Sequence, residues 1–162
     1  MNTKGVIAIL FLVLMPAVSA LAQAQSPSAT PSGPLSPTGI REEEVRDFFA
    51  RYIDRYVRKD SEGFLSSFSG KAVQNQKEGI AEIRRSYATF FDQSHELKYQ
   101  IQEPKIEIYE NGAEMKGRYE IVQILRRNGE KRSWTGTASW FLIKEDGALK
   151  ILYLNYQHQK SL

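Results

Sequence analysis

The chain has 162 residues, enough for one domain and a short appendage, with 22 Lys and Arg against 19 Asp and Glu for a net charge of +3. This balance fits neither an acidic disordered tail nor a strongly cationic nucleic-acid binder. Cysteine is absent, which excludes disulfides, thiolate metal sites and thiol nucleophiles, and two histidines leave little from which to build a metal cluster or a catalytic triad.

The first 22 residues read as a signal peptide. One lysine, Lys4, precedes eleven residues (5–15) without charged or polar side chains, and Pro16 ends the run. Two small-x-small patterns follow, at Ala20-Leu21-Ala22 and Ala22-Gln23-Ala24, and cleavage is expected after Ala22 or Ala24. The run is shorter than the ~20 apolar residues that span a bilayer, so export to the periplasm or medium is expected, with no stable membrane anchor. Residues 23–39 are rich in Pro and Ser and lack charge. They cannot bury enough apolar surface to offset ordering entropy and are expected to be a disordered linker before a folded domain at 40–162.

In that domain Val45, Phe48, Phe49, Tyr52, Ile53, Tyr56 and Val57 form one apolar stripe at helical spacing. Glu42 with Arg46, Asp47 with Arg51 and Asp54 with Arg58 pair acid before base on the opposite face. Asp60 is placed to cap a second short helix that carries Phe64, Leu65 and Phe68 and closes at Gly70. Asn75 with Glu78 suggests a capping box for a third helix presenting Ile80, Ile83, Tyr87, Phe90 and Phe91.

From His95 onward the pattern is that of strands, over 95–110, 113–127, 130–145 and 148–158, divided by Asn111-Gly112, Asn128-Gly129 and Asp146-Gly147. Strands this long must bend, and Pro104, Gly117 and Gly136 mark where bulges or coiling are expected. The expected fold is α+β: three helices in the concave face of a strongly curved antiparallel four-stranded meander, with a short extra strand. Alternation puts Leu149, Ile151 and Tyr153 on one face of the last strand and Leu152, Leu154 and Tyr156 on the other. Two apolar faces imply a covered outer face, and a homodimer through it is expected.

The order of Asp60, Phe64 and Phe68, then Ala72-Val73, Gly79-Ile80, Ile83, Tyr87 and Phe90, then Trp140-Phe141-Leu142-Ile143 and Gly147-Ala148-Leu149-Lys150-Ile151, resembles the nuclear transport factor 2-like superfamily. This cystatin-like cone is shared with SnoaL-type cyclases and steroid isomerases, and exported members stand alone or on periplasmic proteins, including some L,D-transpeptidases. The resemblance implies a pocket between helices and sheet. It also implies a carboxylate base after the second helix in isomerase-like members, yet residues 69–75 read SGKAVQN, without Asp, Glu or His. Dehydratase-like members use His with Asp and Tyr in the pocket.

The remaining ionisable candidates have structural explanations: Asp60 as a cap, Glu107, Glu114 and Glu120 as solvent-facing strand residues, His95 and His158 as exposed strand ends. Tyr56, Tyr87, Tyr119, Trp134 and Trp140, with Arg118 and Asn155 as polar contacts, are the candidate ligand-binding residues. The basic tip from Arg126 to Arg132 reads as a solvated hairpin. The expected function is an exported, non-catalytic binding or accessory module for a small molecule, peptide or cell-wall ligand, without cofactor, metal or nucleic acid. The alternative is a small SnoaL-like isomerase, cyclase or dehydratase.

Overall fold

A computed structural model of the chain describes residues 39–159. The expected signal peptide and all of the linker except Gly39 lie outside the described residues, as do residues 160–162. No helix among the described residues is long and apolar enough to cross a membrane.

Helix α1 spans Glu42–Val57, with three glutamates in its first turn, where the helix dipole favours negative charge. The Arg41 backbone N–H donates to the Glu44 carboxylate (3.0 Å). Val45, Phe48, Phe49, Tyr52 and Tyr56 are buried, as the stripe predicts. Two of the three expected surface pairs form, Arg46 with Glu42 and Arg58 with Asp54. Helix α2, Ser61–Leu65, begins at Asp60, whose carboxylate accepts the Gly63 N–H (3.0 Å).

The helix does not run on to Gly70. The chain leaves it as strand β1, Phe68–Gln74, followed by β2, Glu78–Gly79, and helix α3, Ile80–Gln93. Asn75 does not cap α3 either. Asn75 and Gln76 adopt φ of 49° and 62° in the β1–β2 turn, and the Asn75 side chain accepts the Tyr156 N–H (3.0 Å), so it ties the turn to the last strand.

Strands β3 (Ser94–Tyr109), β4 (Gly112–Leu125), β5 (Lys131–Glu145) and β6 (Ala148–His158) form the expected antiparallel meander. The whole sheet has six strands in the order β2-β1-β6-β5-β4-β3, and β1 lies parallel to β6. Asp146 and Gly147, both at positive φ, make the two-residue turn expected of them. At the first hairpin the turn is Glu110-Asn111, and Gly112 already pairs with Tyr109.

The ladders shift register at four places, two of them in the body of the meander. One is at Pro104, where β3 slips against β4 between Gln102 and Lys105 and Glu103 takes φ 50°. The second is in β6, where the register moves from Phe141↔Tyr153 to Leu142↔Ile151 and leaves Leu152 unopposed. Gly117 faces the first bulge, between the partners of Gln102 and Lys105, whereas Gly136 marks a close approach without a register slip. A Cβ on Gly136 would lie 2.0 Å from the Gln157 carbonyl oxygen. The β6 bulge corrects the expectation of two apolar faces: it turns both Ile151 and Leu154 into the core and leaves Tyr153 48% exposed. The outer face is mostly polar, with Lys116, Arg118, Thr137, Ser139 and Asn155 in adjacent rows.

Candidate functional site

The inner face of the sheet is filled unevenly. Phe49 of α1 packs edge to face on Trp140, ring centroids 5.3 Å apart, and Phe48 and Tyr52 of α1 and Phe64 of α2 join the same buried cluster, with Tyr52 and Phe64 4.8 Å apart. Farther along, the sheet carries the small side chain of Ala138, and a cavity of about 270 Å³, lined also by Ile121, remains.

Tyr52, Trp140 and Tyr99, 1%, 0% and 8% exposed, form its floor. Tyr56, Tyr87 and Phe90 come from the helices, and Trp134, Tyr156 and His158 stand toward solvent. Six of the chain's eight tyrosines line this one space. No Lys, Arg, Asp or Glu does.

The polar groups are phenols, indoles, the Gln74 amide, the Ser86 hydroxyl and the His158 imidazole. Tyr87 donates to Gln74 Oε1 (3.3 Å), and Gln74 Nε2 donates to Glu78 (2.6 Å), which fixes the amide orientation from behind the wall. Tyr119 and His158 Nδ1 meet at 2.6 Å at the mouth. The Tyr52 and Tyr99 phenols lie close enough to influence each other's ionisation, but no hydrogen bond of ordinary geometry joins them. The buried Trp140 indole N–H has no hydrogen-bond partner among the described residues, although it lies near enough to Tyr52 to ease that phenol's ionisation.

Burial holds the Tyr52, Tyr56, Tyr87 and Tyr99 phenols well above the usual tyrosine range. Burial, with Tyr156 nearby, pushes Tyr119 up to about 12. Burial and then the Glu78 carboxylate raise Tyr156. The phenols of the wall are therefore uncharged hydrogen-bond donors at neutral pH, and among the described residues no carboxylate lines it for proton abstraction.

Of the residues singled out from the sequence, Tyr56, Tyr87, Tyr119, Trp134 and Trp140 meet in the cavity. Arg118 and Asn155 do not: they line a groove of about 460 Å³ on the outer face, beside Lys105, Lys116 and Thr137. Strand alternation places them there, since Arg118 neighbours inward-facing Tyr119 and Asn155 neighbours inward-facing Leu154. Glu107 and Glu114 are also on the outer face, where Glu107 accepts from Tyr109 and Glu114 pairs with Lys116 (2.8 Å). Glu120 pairs across to Thr135, on the face opposite Tyr119. His95 is exposed at the start of β3. His158, also exposed, nevertheless contacts Tyr119.

Sequence reading missed Tyr52, Tyr99, Tyr156 and Gln74. Tyr52 belonged to the helical stripe, and Tyr99 alternates with Leu97 and Ile101, so both carried the signal of an inward face without showing that the face is hollow. In the basic tip, Arg126 donates to the carbonyls of Asp92 (3.0 Å) and Ser94 (3.2 Å), and Arg132 pairs with Glu130 (2.8 Å). These bonds give much of the tip a structural role. Among the described residues, no group of three or more His, Asp or Glu is placed to hold a metal.

No protein-family model and no curated protein matches the sequence. Solved structures do match in shape. A nuclear transport factor 2-like superfamily protein from Salmonella enterica serovar Typhimurium is 18% identical, with a TM-score of 0.63 over 74% of this chain and 91% of that one. A cystatin-like-fold protein from Nostoc punctiforme is 15% identical, with a TM-score of 0.58 over 74% and 92%. A type 2 hexachlorocyclohexane dehydrochlorinase is 12% identical, with a TM-score of 0.61 over 73% and 84%. Cavity, helices and bent meander together carry the nuclear transport factor 2-like, cystatin-like cone fold.

Proposed function

We propose that the protein is an exported, non-catalytic module that binds a small, largely apolar molecule in the aromatic cavity. The observation that carries this reading is the wall itself: a largely apolar cavity, open at a rim of Trp134, Tyr156 and His158, with several phenol donors and, among the described residues, no lining carboxylate, lysine or arginine. Proton abstraction requires a titratable base against the substrate, and the strand that follows α2 supplies Gln74 instead. Ligand-observed NMR with a library of small ring compounds tests the reading. Saturation transfer is expected to the wild-type protein and not to Ala138→Leu, whose added side chain occupies the cavity. Binding unaffected by that substitution, or no binding at all, overturns it.

One observation favours a second reading, a SnoaL-like isomerase, cyclase or dehydratase. His158 and Tyr119 form a hydrogen-bonded pair at the mouth, and such a pair can exchange a proton with a bound molecule. Mass spectrometry of every binding compound after incubation separates the readings: recovery unchanged supports the module, and conversion lost in His158→Gln supports the enzyme. A homodimer through the outer sheet face belongs to the first reading. It is supported by Tyr109 and Tyr153, 39% and 48% exposed, which flank Phe141 there. Sedimentation is expected to give a dimer that Tyr153→Lys dissociates, and a monomeric wild type contradicts it.

A further inference from the structure

The cavity wall has an electrostatic character as well as a shape. Nine of its fifteen lining residues are Tyr, Trp or Phe, and none is Lys or Arg. Aromatic faces carry negative potential, and a cation held among several of them is stabilised by each. The rings come from separate elements around one space: Tyr52 and Tyr56 from α1, Tyr87 from α3, Tyr99 from β3 and Trp134 from β5. Burial keeps the buried phenols protonated, so the rings supply this potential without acting as charges.

The nearest carboxylate strengthens the same sign. Glu78 stands behind Gln74, hydrogen-bonded to its amide at 2.6 Å, and its field reaches the wall, where it opposes ionisation of Tyr87 and Tyr156. The lining includes no Lys or Arg, and its one imidazole, His158, stands exposed at the rim. A carboxylate ligand entering this space would meet no compensating cation. A primary ammonium would surrender a strong hydration shell. An ammonium whose substituents are methyl groups presents an apolar surface and a diffuse charge, and it loses least on burial. Size agrees, since about 270 Å³ is far more than the ~10–15 Å³ that one water needs on this measure and admits a compact head group.

Resting on the proposed binding role of the cavity, we infer that it is an aromatic cage for a quaternary or methylated ammonium group. The test compares choline with 3,3-dimethylbutan-1-ol, which has the same shape and no charge, by isothermal titration calorimetry on the protein as it exists. Choline is expected to bind at least about tenfold more tightly. In Glu78→Gln, which keeps an acceptor for the Gln74 amide and removes the charge, that preference is expected to fall several-fold while the alcohol's affinity stays the same. Equal or tighter binding of the alcohol overturns the cage and leaves the apolar cavity standing. Binding of neither compound, together with a silent fragment library, overturns both. Trp134→Ala is a second probe from the half-exposed rim, expected to weaken choline more than the alcohol. Equal weakening contradicts a cation–π contribution.

Discussion

The two ends of the sheet's concave face begin from the same material and finish differently. At the closed end Phe49 of α1 packs edge to face on Phe48 and Trp140, and Phe64 of α2 packs edge to face on Phe68, in one buried cluster with Leu142 and Ile151. At the open end Tyr56, Tyr87, Tyr99 and Trp134 stand around the small side chain of Ala138, and a cavity remains among them. What separates core from cavity here is the size of a few strand residues.

The contrast can be broken most severely at the closed end. Phe64 is fully buried among five other rings, and Phe64→Ala is expected to cost about 3–5 kcal/mol in urea unfolding. A loss below 1 kcal/mol would mean that this end is not close-packed. Next in size is Gly136→Val. Its Cβ would lie 2.0 Å from a backbone oxygen and 2.8 Å from the Tyr119 hydroxyl, so the end of β6 must move, at about 1–3 kcal/mol, and the Tyr119–His158 contact should be lost from NMR spectra. A variant as stable as wild type would show that the strands do not approach this closely. Asp60→Ala removes the side-chain cap of α2 and should cost about 1 kcal/mol in the same assay.

Alkaline titration sharpens the comparison without substitution. Tyr52, Tyr56, Tyr87 and Tyr99 have folded-state pKa values above the unfolded value near 10, so the folded state retains protons that the unfolded chain releases. Stability is therefore undiminished below pH ~10 and falls as pH rises through the folded values, with Tyr119 titrating at about 12. Phenolate absorbance from the cavity tyrosines should appear together with loss of near-ultraviolet circular dichroism. Ionisation of all eight tyrosines near pH 10 in a folded protein would contradict their burial.

Much of the fold was legible because it rests on periodicity. The α1 stripe, the Asp60 cap, the Asp146-Gly147 turn and the Pro104 bulge each follow from local residues with one favourable conformation. The start of α3 was misread because Asn75 serves a partner 81 residues away, the Tyr156 N–H, which no local pattern announces. The outer face was misread because an unmarked bulge at Leu152 reverses the alternation of β6. At the site, five of seven chosen residues lie in the cavity because they sit on inward faces. Arg118 and Asn155 were chosen for chemistry, and their position in the alternation sends them outward. Whether inward aromatics fill space or surround it depends on residues opposite them, so the hollow was not readable from Tyr52 or Tyr99 alone.

Thermal unfolding of Ala138→Leu tests the central claim most directly, because it adds three carbons at the centre of the open end. A cavity accommodates them, and the midpoint is predicted to hold or rise as buried apolar area is gained. A fall equivalent to about 1–3 kcal/mol, the usual cost of overfilling a packed core, would mean that the open end is as solid as the closed one.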